Sequence, residues 1–382
     1  EGCGQHNRDM GWRDQQMKPL SALYYIKENR MRSLIVIFMF MFTTLLYMAG
    51  NYVDSVYYYW DRYMEYTDKM LLVNGLSTDK DYEDFNSFYE DLLADDMLTV
   101  MPRTPQGSTG LSWTCTMGFD MGSASMVFET PKDLKTAFDA FGINADLSDV
   151  RDGTVCISSA LAAQYGLNKG DEISSAQIPG FVGRYPIAAI LDDNSYIVFY
   201  VRGGEYEGSP VRLNVLGNGI SGMELYDHLT EIKGDRKVDI SEPSREAIHK
   251  QFEPFNLIFG VGIVILTLIL AMIVNSVLSG QFMARRYEFG VFRAIGLSRR
   301  EVYFKIFREL AAMDMIAVAA GGTLVFISSF LLNELYYIPD GKYLPYYSET
   351  GLYAFLASNL LVMIPTFLLK GREMAKCDVT EF

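Results

Sequence analysis

The residues that most often carry catalysis and metal binding are scarce in this sequence. Its 382 residues include four cysteines and three histidines, and His6, His228 and His249 lie far apart. No cysteine pair has metal-site spacing, and no nucleophile motif accompanies the histidines. No G-x-x-x-x-G-K-[ST] occurs, so the chain does not itself hold ATP through a P-loop. An enzyme is not expected, nor a cofactor or metal in this chain. Charge is also thin, at 21% of residues against 49% hydrophobic, and it is segregated. Residues 51–254 hold 16 Lys+Arg against 33 Asp+Glu, a net of −17. The remaining 178 hold 17 against 14, a net of +3, and contain the long apolar runs. A large region that repels phosphate excludes a nucleic-acid binder, and the apolar runs exclude a wholly soluble protein.

Crossing a bilayer takes about 20 mainly apolar residues. Four stretches meet or approach that length: 34–53, 255–280, 310–332 and 352–369, the last near the short limit with Pro365 close to its end. The flanks carry the orientation signal. Lys27, Arg30 and Arg32 precede the first span, and seven basic residues from Arg285 to Arg308 lie between the second and third. Lys370, Arg372 and Lys376 follow the fourth, whereas the connection 333–351 holds only Lys342. This pattern predicts a multi-pass protein of the bacterial cytoplasmic membrane with both termini inside. The segment 1–33, the loop 281–309 and the tail 370–382 are then cytoplasmic, and 54–254 is an extracytoplasmic domain. The first apolar run starts too late and is too long for a cleavable signal, so it is expected to be a signal anchor. Residues 1–17 carry no pattern. Cys115 and Cys156 fall on the outer side, where a disulfide is open to them, and Cys3 and Cys377 on the reducing side.

In the outer region, helical patterns at 81–95, 131–141, 159–165 and 222–232 alternate with strand-like runs at 125–128, 154–157, 186–191, 196–201 and 211–215, an α+β module. Between Asn51 and Leu72 the chain keeps a helical composition that extends the first span, and its aromatic run Tyr57, Tyr58, Tyr59, Trp60, Tyr63 and Tyr66 reads as an interfacial belt rather than a ligand site. On the return, Ser241 is placed to cap a helix with Pro243 in its first turn, continuing into the second span through a kink at Pro254. The domain is thus expected on two helical stalks.

The loop RRYEFGVFRAIGLSRREVYFKIFR, Arg285 to Arg308, holds stacked terminus signals. Arg285 to Ile295 is helical in pattern with Phe289 and Phe292 on one face. Gly296 is placed as the left-handed residue that ends it. Ser298 and Glu301 form an S-x-x-E capping box opening a second helix that runs without a breaker into the third span. The pattern describes a short docking helix, a tight turn and a stalk welded to a span. A plain basic loop that sets topology is the alternative.

The phrase YEFGVFRAIGLSRREV resembles the signature of FtsX/MacB-type permeases, the transmembrane subunits of type VII ABC transporters. In them a similar E-x-G-x-x-R-A-x-G phrase forms the helix that docks on the ATPase. By position it falls on Glu288, Gly290, Arg293, Ala294 and Gly296, with Arg285 beside them and Phe289 and Phe292 as the expected anchors on the ATPase. ENRMRSL (Glu28 to Leu34), VCISSALAAQYGLNKGDEI (Val155 to Ile173) and KGREMAKCDVTEF (Lys370 to Phe382) are similar to that family's entry helix, MacB-like core module and tail. The resemblance implies an α-helical membrane protein with four transmembrane helices and an α+β extracytoplasmic domain on helical stalks. It implies a dimer of cytoplasmic ABC ATPases holding ATP and Mg, and a second permease chain, identical or homologous, within membrane lipid. The implied work is mechanotransmission to an extracytoplasmic peptide, antibiotic or lipoprotein, for efflux or extraction. The alternative is an FtsX-like regulator that activates an outer partner such as a cell-wall hydrolase.

Other signals are discounted. Gly217, Gly219 and Gly222 spell G-x-G-x-x-G without a surrounding βαβ unit, and read as a turn. Asp314 lies about a turn inside the third span, where hydration or a helix-pair hydrogen bond explains it, and Asn275 calls for the same caution.

Overall fold

A computed structural model describes residues 22–75, 79–104, 110–178, 181–203, 211–365 and 367–368. The tail similarity from Lys370, together with His6, Cys3, Cys377 and the first 17 residues, lies outside the described residues.

In chain order the elements are α1 (Ala22–Glu28), α2 (Arg30–Lys69), β1 (Met70–Gly75), α3 (Asp79–Leu93), β2 (Leu98–Arg103), β3 (Gly110–Thr114), β4 (Asp120–Ala124), β5 (Met126–Phe128) and α4 (Pro131–Phe141). Then come β6 (Thr154–Ser158), α5 (Ser159–Tyr165), β7 (Glu172–Ser174), β8 (Arg184–Leu191), β9 (Val198–Val201), β10 (Arg212–Gly217), α6 (Met223–Lys233) and β11 (Val238–Ile240). The chain closes with α7 (Ser244–Ala284), α8 (Arg286–Ala294), α9 (Arg299–Leu332), a π turn Asn333–Tyr337, a 3-10 turn Ile338–Asp340 and α10 (Glu349–Pro365). Three of these helices are long and apolar enough to cross a membrane: α2, α7 and α9 with its continuation. The stretch expected as a fourth span folds as α10, an apolar helix of 17 residues that falls short of the length of the other three.

Two compact units result, one from Glu1–Gly50, Gly260–Ser328 and Tyr347–Phe382, the other from Asn51–Phe259 and Ser329–Tyr346. In the helical unit Val36 and Phe40 of α2 share a core with Val274, Leu278 and Phe282 of α7, Phe289 of α8, Ile306, Leu310 and Ala317 of α9 and Val362 of α10. With apolar surroundings on both sides, helices gain by approaching closely enough to pack, and small residues permit it. A Cβ on Gly50 would lie 2.2 Å from the Gly351 Cα, and one on Gly321 would lie 2.5 Å from Thr44 Oγ1. Asn359 donates to Asp314 at 3.1 Å, the helix-pair hydrogen bond expected for that carboxylate.

The second unit is α/β. One sheet is antiparallel throughout, in the order β11-β1-β10-β2; a mixed sheet runs β5-β9-β6-β8-β7, and β3 pairs with β4 alone. The helix α4 keeps the bounds of its pattern because both ends are capped. Thr130 and Asp133 form a capping box around Pro131, and Gly142 follows in the left-handed region. The Gly217–Gly222 motif is a turn after the antiparallel strand β10, so no dinucleotide unit forms.

Three expectations are corrected here, and the cysteine pairing that the sequence left open is decided. The aromatic run is not a lipid-facing belt. Tyr59, Trp60 and Tyr66 are buried, and Tyr59 and Trp60 share a core with Trp113, Ile157, Val198 and Phe252. Uninterrupted by any breaker, α2 continues to Lys69, and the sheets of the unit cover this face. The chain then passes directly into β1, where a helical composition predicted helix to Leu72. Ser241 caps nothing: its hydroxyl accepts from the Leu72 N–H at 2.9 Å and its own N–H donates to the Leu72 carbonyl, extending the sheet edge, and α7 starts at Ser244. Cys115 and Cys156 are both free and buried, each in a different core.

The connection between α9 and α10 is a built part of the α/β unit. Asn333 closes it by donating to the Leu344 carbonyl at 2.9 Å and accepting from the Leu344 N–H at 2.8 Å. The Tyr196 hydroxyl donates to the Gly341 carbonyl at 2.8 Å, and that of Tyr59 donates to the Tyr343 carbonyl at 3.1 Å. Gly341, at φ +67°, also passes so close to α5 that a Cβ would stand 2.1 Å from the Ala160 carbonyl oxygen. Only glycine meets both conditions.

Candidate functional site

The strongest sequence signal, Arg285 to Arg308, folds as its terminus residues direct. The helix α7 ends at Ala284, Arg285 leaves helical geometry at φ −103° and ψ 4°, and α8 follows. Gly296 takes φ +99°, and the Leu297 N–H returns to the Phe292 carbonyl at 3.1 Å. The capping box forms: Glu301 accepts from the Ser298 N–H at 2.6 Å, and the Ser298 hydroxyl accepts from the Glu301 N–H at 3.3 Å. Those bonds to Ser298 hold the Glu301 carboxyl below its ordinary range.

A buried ionic cluster ties α8 to its neighbours. Arg285, with a side chain 3% exposed, donates to Glu309 of α9 at 2.8 Å and to Glu288 at 3.0 Å. Lys305, one turn before Glu309, reaches its other oxygen at 2.5 Å. The Arg285 guanidinium stacks 3.8 Å from the Tyr25 ring of α1 and 4.9 Å from that of Phe289, so α1, α8 and α9 meet on one side chain. Lys305 lies 5.3 Å over the Phe292 ring.

The predicted residues therefore divide. Arg285, Phe289 and Gly290 are buried, Glu288, Phe292 and Arg293 are half-buried, and Ala294 and Gly296 are exposed. Phe289, expected as an outward anchor, points into the core of the helical unit instead. Its position continues the inner stripe Leu278, Phe282, Arg285, at the spacing one helix face requires. The outward apolar face belongs to residues that the reading by phenylalanine pairs passed over. Tyr287 is 68% exposed, Ile295 69%, and Val291 and Ala294 lie with them at helical spacing. Counting from the inner stripe was the signal that finds them. Among the described residues no group of three His, Cys, Asp or Glu could hold a metal.

Residues 260–370 match the family model of the FtsX-like permease C-terminal domain. No curated protein matches the chain. The match starts in α7 and contains all of α8, the Gly296 turn, the Ser298 cap, α9 and α10. Together with the three long apolar helices it marks a membrane protein. The resemblance carried by Glu288, Gly290, Arg293, Ala294 and Gly296 thus coincides with the matched span, and residues 260–370 are an FtsX-like permease C-terminal domain, which supports the likeness to FtsX/MacB-type permeases.

Proposed function

We propose that the chain is the permease subunit of a type VII ABC complex in which α8 receives a separate cytoplasmic ATPase. FtsX-like permeases generally work with such an ATPase. The observation that carries the reading is the construction of α8: an exposed apolar face of Tyr287, Val291 and Ile295 on a helix clamped from behind by Arg285, Glu309 and Phe289. A docking helix needs both properties, since a face that yields on contact transmits no displacement. The helices α2, α7 and α9 each contribute to both units without a break, which supports transmission of ATP-driven motion to the α/β unit. In this reading the basic flanks face the cytoplasm and the α/β unit lies outside. The complex pairs this chain with a second permease chain, and its work is done on a peptide, antibiotic or lipoprotein substrate. ATP and Mg belong to the partner.

The test is affinity purification of the tagged chain from its native host in gentle detergent. A P-loop ATPase is expected with the wild type. Tyr287→Asp and Ile295→Asp should lose it while keeping wild-type thermal stability, because both side chains are exposed. Retention of the ATPase by both variants, or its absence from the wild type, refutes the docking face. Phe289→Asp is uninformative here, since a charge at that buried position disrupts the core itself.

A further inference from the structure

The α/β unit contains the first turns of the α7 apolar run, where Leu257 and Ile258 are each 69% exposed. Before them α7 is no free spacer. Ile248 and Phe252 are buried in the same core as Tyr59, Trp60 and Trp113, and Phe255 packs half-buried against it. The rings of Phe252, Phe255 and Phe259 follow one another along the helix, with centroids 6.1 and 4.4 Å apart. The core of the unit therefore reaches the level at which the apolar run of α7 begins.

The turn of the β3–β4 hairpin lies at that level. The Cys115 N–H donates to the Phe119 carbonyl and the Gly118 N–H to the Cys115 carbonyl, both at 2.9 Å, and Gly118 takes φ +83°. Two ties fix where the turn sits. The Phe119 ring meets the Phe255 ring edge-on, with 6.2 Å between centroids. The Thr116 and Tyr59 hydroxyls share a hydrogen bond at 2.8 Å, and Tyr59 also donates to Tyr343 in the connection between α9 and α10. Phe119 nevertheless stays 49% exposed. A single exposed apolar side chain is ordinary on a protein surface. This one differs because it rests on the residue one helical turn before Ile258 and Phe259, at the entry to a span.

We propose that the β3–β4 turn, through Phe119, is a lipid anchor that seats the α/β unit on the bilayer surface beside α7. Apolar side chains presented at a membrane interface bury into the boundary between headgroups and acyl chains. Neighbouring charge limits the depth to that boundary. Asp120 turns back along the hairpin to accept from the Thr114 hydroxyl at 2.9 Å, and Glu253, exposed, precedes Phe255 by two positions. The anchor rests on α7 crossing the bilayer and stands whether or not the coupling assignment does.

The test places the full chain in nanodiscs of phosphatidylcholine, with or without bromine near the headgroup end of the acyl chains, and follows the fluorescence of Phe119→Trp. The wild type supplies the background of Trp12, Trp60 and Trp113. Bromine should remove the added emission, and iodide in the water should act on it more weakly than on Leu93→Trp. That control position is exposed at the end of α3, on the other sheet, so its emission should lie to the red and respond to iodide alone. Leu257→Trp, in the span itself, should be quenched by bromine. The proposal is overturned if Phe119→Trp behaves as Leu93→Trp does. It is equally overturned if neither quencher reaches Phe119→Trp, which would mean that protein such as a second copy of the chain covers the turn. Loss of bromine quenching at Leu257→Trp would remove the span on which the anchor rests.

Discussion

Glu309 should be the most sensitive position in the α8 clamp, and more sensitive than the arginine it holds. Both Arg285 and Lys305 reach it, at 2.8 and 2.5 Å, and all three side chains are almost fully buried. Breaking a buried pair from one side costs about 3–5 kcal/mol, chiefly because the remaining charge is stranded. Glu309→Gln strands two cations, leaving only Glu288, itself 44% exposed, to compensate Arg285. Arg285→Met strands none, because Glu309 keeps Lys305; it loses the Tyr25 stacking and two hydrogen bonds, for about 1–3 kcal/mol. Glu309→Gln should therefore cost about 3–5 kcal/mol, a fall of roughly 10 °C in melting temperature. The assay is thermal denaturation of the detergent-solubilised chain, followed by size-exclusion recovery. Equal losses for the two variants, or a larger one for Arg285→Met, would falsify the stranding argument.

Three further outcomes follow from contacts already described. Gly50→Val places carbon where the Gly351 backbone stands 2.2 Å away, and backbone cannot yield as a side chain does; the variant should lose more than ~2 kcal/mol, read as reduced melting temperature. Tyr196→Phe removes the bond to the Gly341 carbonyl for about 1 kcal/mol, and hydrogen exchange should rise across 338–346 while the ring stacking on Trp113 at 4.4 Å persists. The Asp95 carboxyl is held below its usual range first by the Met97 N–H and further by His228 at 2.7 Å. A depressed carboxylate stabilises fully above its unfolded value, about 3.9, and this is lost as pH falls through the folded value. Thermal stability should thus drop on acidification below about pH 4, and Asp95→Asn should flatten that limb; an unchanged slope refutes the pairing.

Elements set by their own residues were legible in the chain. The apolar lengths of α2, α7 and α9, the capped helix α4 with Pro131 inside and Gly142 beyond, and the α8–α9 turn with Gly296 and the Ser298–Glu301 box all depend on contacts within a few positions. So do strands such as β6, whose five residues are all buried and read as one apolar run. The strands β3 and β4 were missed because Gly110–Thr114 and Asp120–Ala124 carry glycine, serine and threonine rather than alternating branched residues.

Tertiary structure decided which faces turn inward and which distant residues meet. An aromatic run on a helix satisfies a lipid interface and a protein core equally well, and only the sheets packed against α2 assign Tyr59 and Trp60 to the core. Phe289 and Tyr287 differ by two positions, and the stripe descending from α7 places one inside and the other out. The segment 333–346 has no pattern of its own, and Tyr59, Tyr196 and Asn333 supply its order. Arg103 and Arg212 lie more than a hundred residues apart in the chain and stand opposite each other because sheet register pairs β2 with β10. Local propensity and hydrophobic period act over a few residues, so they write elements into the sequence. Charge compensation and close packing act between elements, so their outcome exists only once the chain has folded.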